Sequence, residues 1–188
     1  MRVTGGIFTG RRLQLPKGPE IRPTLEHVRQ AIFNLLGSRV VGAQVLDLFS
    51  GTGALGIEAL SRGAAHVTFA DRSFFCIQAI EANLEQLAIP QEQTTIIRGE
   101  ALTALRRLRR EEAQMDLVIL DPPYGQHLAR KSLNALAQYV IVGASGLVVA
   151  EHNKRDPLPE QVKIKECQLT VLRQERYGDT ALTIYERQ

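Results

Sequence analysis

Cysteine and histidine are scarce in this sequence, and their spacing is uninformative for metals or bridges. Cys76 and Cys167 are the two cysteines among 188 residues, far apart and without CxxC spacing. Two buried free thiols in a reducing compartment are the expectation. The four histidines, His27, His66, His127 and His152, form neither an HExxH motif nor a His–Cys cluster, so no metal site is expected. Long apolar runs are also missing. None reaches the roughly 18 residues that a membrane helix needs, so no membrane partner is expected. The first six residues, Met1 to Gly6, lack the apolar core of a signal peptide, and a cytoplasmic location is expected.

What is present belongs to a globular domain. Hydrophobic residues make up 44% and charged residues 23%, an average composition that can bury a core without staples. The net charge of +3 is unevenly distributed. Residues 1–40 carry seven cations (Arg2, Arg11, Arg12, Lys17, Arg22, Arg29, Arg39) against Glu20 and Glu26, which is +5 and leaves −2 for the rest. A basic leading segment on a neutral body points to an anionic partner or to a solvated surface. No surface feature demands a dimer, and a monomer is expected.

Residues 2–8 and 11–15 read as two short strands about Thr9-Gly10. After a proline-rich loop, Thr24 caps a predicted helix with apolar positions Leu25, Val28, Ile32, Leu35 and Leu36, ending at Gly37. From residue 44, apolar runs (Val45–Phe49, Val67–Ala70, Thr94–Ile97, Leu117–Leu120, Leu147–Ala150) alternate with amphipathic stretches near 53–62, 73–88, 100–110 and 127–141. That alternation predicts an α/β fold with a mainly parallel, doubly wound sheet and helices on both faces. Residues 162–172 and 180–186, joined across Tyr177-Gly178-Asp179, predict an antiparallel pair at the sheet's edge. The chain divides into an N-terminal hairpin and helix extension, 1–40, and a catalytic domain, 41–188.

Val45-Leu46-Asp47-Leu48-Phe49-Ser50-Gly51-Thr52-Gly53-Ala54-Leu55-Gly56 leaves a strand and enters a helix. Glycines allow a tight turn and close ligand approach, and the helix start offers free N–H groups. A dinucleotide site fits the glycines equally well. Asp47 separates the two: a carboxylate there repels a pyrophosphate but suits the ammonium and sulfonium of S-adenosylmethionine. By position, Ser50, Gly51, Thr52 and Gly53 pass along the methionine part. Asp71, ending the second strand, accepts ribose hydroxyls, and Arg72 covers the adenosine or is a surface arginine. Glu100, followed by Ala101, reaches the adenine amino group or serves as a helix N-terminal acid.

The fourth apolar run ends in Asp121-Pro122-Pro123-Tyr124. Two prolines fix the loop and remove two N–H donors, which leaves the Asp121 carboxylate and the Pro122 carbonyl as rigid acceptors. An exocyclic amine of a base has two N–H donors for such acceptors. Holding both turns its lone pair toward a methyl donor and stabilises the growing charge. Asp121 can take the departing proton, and Tyr124 offers a face for a flipped-out base. The motif does not separate guanine N2 from adenine N6 of RNA or DNA. A non-catalytic RNA-binding assembly factor and a small-molecule methyltransferase are the other readings.

Arg2-Val3-Thr4-Gly5-Gly6, Gly10-Arg11-Arg12-Leu13, Arg22-Pro23-Thr24, Phe33-Asn34-Leu35-Leu36, the glycine loop, Asp121-Pro122-Pro123-Tyr124 and Tyr177-Gly178-Asp179-Thr180 together span nearly the whole chain. In these motifs the sequence resembles the RsmD family of bacterial 16S ribosomal RNA guanine-N2 methyltransferases. The resemblance implies a Rossmann-like class I methyltransferase fold with an N-terminal β-hairpin. It implies transfer from S-adenosylmethionine to a guanine exocyclic nitrogen in small-subunit rRNA, naked or within a ribosomal particle. It makes Arg11, Arg12 and Arg22 candidates for RNA contact and places Thr24 near the active site. Arg106, Arg107, Arg109 and Arg110 form a second basic cluster, read as helix C-terminal cations or as further RNA contacts.

Overall fold

Side-chain alternation explains how one sheet buries both of its faces. In a computed structural model, which describes residues 1–15, 25–123 and 127–188, the apolar runs become β1 (Gln44–Leu48), β2 (His66–Asp71), β3 (Thr94–Arg98), β4 (Met115–Leu120) and β5 (Val142–Asn153). Val45, Val67, Phe69, Leu117, Ile119 and Val149 enter one hydrophobic cluster. Their neighbours Leu46, Leu48, Ala70, Val118, Leu120, Val148 and Ala150 enter the other. Each strand therefore reads as continuously apolar because successive side chains bury on opposite sides.

The helices divide in the same way. α1 (Glu26–Leu36), α2 (Ala54–Ser61) and α3 (Phe74–Gln86) cover the first face; α4 (Ala101–Arg110) and α5 (Leu128–Tyr139) cover the second. The sheet is completed by β6 (Gln161–Ile164), β7 (Cys167–Tyr177) and β8 (Thr180–Arg187), in the order β3-β2-β1-β4-β5-β8-β7-β6. The five strands β1 to β5 pair in parallel, and β8, β7 and β6 continue antiparallel. This is the mainly parallel sheet with an antiparallel C-terminal edge that the sequence predicts.

Three details differ from expectation. The stretch 162–172 is not one strand: it turns at Lys165, whose φ is 54°, and Ile164 pairs with Cys167 across the turn. The edge thus holds three antiparallel strands rather than two. The N-terminal strands 2–8 and 11–15 shrink to a single antiparallel bridge, Arg2 with Arg12. Residues 5–10 turn instead, because Gly6 and Gly10 take positive φ and Ile7 N–H donates to the Ser61 carbonyl at 2.8 Å. Finally, Leu25 occupies the cap position of α1 without a side-chain cap bond and is 51% exposed. Thr24, the expected cap, lies outside the described residues. Gly37 closes α1 as read, with φ 54°.

Val3, Leu13, Val28, Ile32, Phe33 and Leu36 share the cluster that packs α2 and α3 on the sheet, so segments 1–15 and 25–40 contribute to the same core as those helices. Cys76 and Cys167 are both free and buried. Among the described residues no helix is long and apolar enough to cross a membrane, and no group of three or more His, Cys, Asp or Glu is placed to hold a metal.

Candidate active site

Parallel strands with helical crossovers bring their carboxyl ends to one edge, and strand order reverses there between β1 and β4. Crevices at such switch points are where α/β sheets bind ligands. Asp47, Ser50, Gly51, Thr52, Gly53, Asp71, Arg72, Glu100, Ala101, Asp121, Pro122 and Pro123 all lie at this edge, at or just beyond the ends of β1 to β4. Tyr124, like Arg22 and Thr24, lies outside the described residues.

The glycine loop is held from below by β2. Phe49 and Ser50 N–H groups both donate to the Ala70 carbonyl, at 3.0 and 3.1 Å. Ser50 Oγ donates to the Asp47 carbonyl at 2.6 Å and accepts from Ala70 N–H at 2.8 Å. The backbone then passes through positive φ at Phe49 (72°), Gly51 (53°) and Gly53 (76°). Phe49 is a non-glycine residue in this region, where local strain of order 1 kcal/mol is tolerated only in an over-determined loop. Gly56 answers a different demand. A Cβ there would sit 2.3 Å from Phe69 Cε1, so only glycine lets α2 lie this close to β2.

The acids of the site differ in how they are satisfied. Asp71 accepts Gly51 N–H through Oδ2 at 2.9 Å and Ser73 N–H through Oδ1 at 2.8 Å. It thereby ties the glycine loop to the start of α3. Each of its oxygens retains a lone pair for a further donor. Asp47 is 1% exposed. Its Oδ2 accepts Gly56 N–H at 2.9 Å, while Oδ1 is buried and has no hydrogen-bond partner among the described residues. Burial pushes the Asp47 carboxyl up to about 7. The Gly56 N–H opposes the rise, and the negative charges of Asp121 and Asp71 add to it. A buried carboxylate oxygen with no donor, among other negative charges, is a place for a cation.

Arg72 and Glu100 face each other at the mouth, 3.3 Å apart, both largely exposed. Glu100 occupies the cap position of α4 but makes no side-chain cap bond, and Ala101 behind it is buried. Beyond β4, Pro122 and Pro123 form one wall of a cleft completed by His127, Ala129, Asn153 and Asp156. Leu120 pairs with Ala150 in the β4–β5 register, so Asp121 and Glu151 follow side by side at the strand ends.

The basic residues sit elsewhere. Arg11 and Arg12 are exposed, and both touch the last turn of α3: Arg11 Nη2 donates to the Gln86 carbonyl at 3.4 Å, and Gln86 Nε2 donates to the Arg12 carbonyl at 2.8 Å. Gln86 lies twelve residues beyond Phe74, about 18 Å along the helix from the ligand edge. In the second cluster Arg107 pairs with Glu111 at 2.8 Å, and Arg109 lies over the Tyr139 ring at 5.5 Å.

Two residues that matter to this region are not apparent from motifs. Glu58, fully buried in α2, accepts Thr4 N–H at 2.8 Å, Thr4 Oγ at 2.7 Å and Arg62 Nε at 2.9 Å, with Arg29 Nε 3.9 Å away. Asn83, buried in α3, donates to the Thr52 and Gln14 carbonyls and accepts Gln14 N–H. A charged or amide side chain inside an apolar helical stripe is the signal that could have marked both.

Comparison with known proteins agrees with this geometry. The family described as Conserved hypothetical protein 95 matches residues 1–186. YlbH of Bacillus subtilis (strain 168) is 38% identical over 187 residues, covering 100% of this chain and 99% of the relative. Ribosomal RNA small subunit methyltransferase D of Escherichia coli (strain K12) is 30% identical over 188 residues, covering 100% and 90%. The solved structure of yhhF from Escherichia coli superposes with a TM-score of 0.84 at 29% identity, covering 100% of this chain and 98% of that one. The chain therefore belongs to the Conserved hypothetical protein 95 family, the RsmD family of its sequence resemblance, and has the class I methyltransferase fold.

Proposed function

We propose that this protein transfers the methyl group of S-adenosylmethionine to the exocyclic N2 of a guanine in small-subunit (16S) ribosomal RNA. The observation that carries the cofactor half is the buried Oδ1 of Asp47 at the strand-order reversal, which has no hydrogen-bond partner among the described residues. A cationic ligand compensates that oxygen, and a pyrophosphate does not. The target half is supported by the relative named ribosomal RNA small subunit methyltransferase D and, as far as an exocyclic amine, by the Asp121-Pro122-Pro123-Tyr124 motif.

S-adenosylmethionine supplies an electrophilic methyl group on a sulfonium when bound. Asp47 takes its positive charge, and Ser50, Gly51, Thr52 and Gly53 line its methionine portion. Asp71 uses its remaining lone pairs for ribose hydroxyls, while Arg72, Glu100 and Ala101 frame the adenine. On the substrate side, the Asp121 carboxylate and the Pro122 carbonyl hold the two hydrogens of the exocyclic amine. The nitrogen lone pair is thereby turned out of ring conjugation, and Asp121 would receive the proton that nitrogen sheds as the N–C bond forms, the S–CH3 bond breaking with its electron pair left on sulfur as the neutral thioether. Pro123 stiffens the loop, and Tyr124 stacks on the extruded base. Arg11, Arg12, Arg22 and Thr24 are the candidate RNA contacts. On this reading the enzyme works in the cytoplasm, as a monomer and without a metal.

The test is methyl transfer from labelled S-adenosylmethionine to unmodified small ribosomal subunits, naked rRNA and DNA, followed by nucleoside analysis. N2-methylguanosine from a ribosomal substrate is expected. Methyladenine would overturn the target, and cofactor binding without transfer would replace the enzyme by a binding factor. Asp121→Ala should abolish transfer while cofactor affinity stays within a few-fold. Arg11→Ala with Arg12→Ala should weaken RNA binding and lower its logarithmic salt slope by about 2.

A further inference from the structure

The N-terminal segment is tied to the cofactor loop by one side chain. Asn83 is fully buried in the third turn of α3. Its Nδ2 donates to the Thr52 carbonyl at 3.1 Å and to the Gln14 carbonyl at 3.1 Å, and its Oδ1 accepts Gln14 N–H at 2.7 Å. Both amide hydrogens and the carbonyl oxygen are thus used, each on backbone. Thr52 is the middle residue of Gly51-Thr52-Gly53. On one side of it, Gly51 N–H is held by Asp71 at 2.9 Å. On the other, Gly53 lies against Ile80, one helical turn before Asn83 on α3; a Cβ at Gly53 would stand 3.0 Å from Ile80 Cγ1. Met1 Sδ approaches Thr52 Oγ1 at 4.0 Å from the same segment.

A loop with three positive-φ residues has many accessible conformations, and ordering it on binding costs affinity. Fixing it beforehand removes that cost. We infer that Asn83 is a positioning residue for cofactor binding: it presets the glycine loop through the Thr52 carbonyl and uses the docked N-terminal segment at Gln14 as its second anchor. The segment expected to serve RNA is thereby part of the cofactor site's support. This rests on S-adenosylmethionine being the cofactor, as proposed above.

Titration calorimetry with S-adenosylmethionine on the full chain tests it, for the wild type, Asn83→Ala, Asn83→Ser and Gln86→Ala. Gln86 also binds the N-terminal segment, through the Arg12 carbonyl and the Gln14 side chain, but has no bond to Thr52 or to the Gln14 backbone. The expected result is a five- to thirtyfold rise in Kd for both Asn83 variants and less than a twofold change for Gln86→Ala. Asn83→Ser carries the test if Asn83→Ala fails to fold. In steady state, the KM for S-adenosylmethionine should rise by a similar factor while kcat at saturating cofactor stays within twofold. A residue that merely stabilises the fold lowers the active fraction, so kcat would fall at unchanged KM. That pattern, or an unchanged Kd in folded variants, overturns the inference. Failure of the wild type to bind S-adenosylmethionine would instead overturn the cofactor reading.

Discussion

Two buried carboxylates stand in the first strand–helix unit, Asp47 on β1 and Glu58 on α2, and they are satisfied in opposite ways. Glu58 accepts from Thr4 and from Arg62 and pairs by charge with Arg29 Nε at 3.9 Å, all within the chain. Asp47 accepts one backbone N–H, and its other oxygen has no partner among the described residues, in a field of further negative charge. Burial alone therefore does not mark a site. Glu58 fastens the fold through partners from its own chain, whereas Asp47, in the site proposed above, has room for a partner from outside it.

The comparison breaks most visibly at Glu58. Arg29 is fully buried, and burial pushes its guanidinium below the ordinary value while Glu58 and Glu26 oppose the shift. Glu58→Ala leaves that cation without its closest acid and frees Thr4. Removal of one partner of a buried pair costs about 3–5 kcal/mol, and a chain of this size then melts roughly 10 °C lower. Thermal unfolding of the variant checks this. A loss below about 1 kcal/mol would mean that Glu58 is not what fastens the N-terminal segment.

Asp47→Asn should do the reverse. The amide keeps an acceptor for Gly56 N–H and carries no charge, so folding is preserved while the cation loses its counter-ion. Cofactor Kd should rise by roughly 30- to 100-fold at pH 8, about 2–3 kcal/mol. The pH dependence sharpens the contrast. The folded Asp47 carboxyl titrates at about 7, above its ordinary 3.8. The folded protein therefore holds this proton more tightly than the unfolded chain. Its contribution to stability is fully present below about pH 4 and is lost as pH rises through 7. A cationic cofactor favours the ionised form, so wild-type affinity should weaken below pH 7 and binding there should release a proton. In Asp47→Asn both effects should vanish. Proton release measured by calorimetry in two buffers of different ionisation enthalpy decides the point.

These two acids also mark how far the sequence could be read. β1 to β5 were legible because burial on both faces leaves uninterrupted apolar runs, and the turn at Gly51 and Gly53 was legible because its positive φ favours glycine. Glu58 and Asn83 were not, since their partners Thr4 and Gln14 lie 54 and 69 positions away. Their place inside an apolar helical stripe hints at burial, but nothing local says what they bond. The N-terminal strands failed for the same reason: Ile7 and Phe8 carry strand-forming side chains, yet their N–H groups bond to the Ser61 carbonyl and Oγ rather than to each other's segment. Lys165 turned one expected strand into β6 and β7 through a positive φ that its side chain does not announce.

Glu100 gives the smallest expected effect and bounds the comparison from the solvent side. It stands at the same edge as Asp47, but it is 66% exposed and its partner Arg72 is 65% exposed, 3.3 Å away. Water satisfies both groups when they part, so the pair is worth about 0–1 kcal/mol at most and less at high salt. Glu100→Gln should leave the melting temperature within about 2 °C of the wild type. It retains an acceptor for the adenine amino group, so cofactor Kd should change less than threefold. Glu100→Ala removes that acceptor and should raise Kd three- to tenfold with stability again unchanged. Equal Kd values for the two variants would leave Glu100 as a helix N-terminal acid only, and the adenine side of the site would then rest on backbone around Ala101.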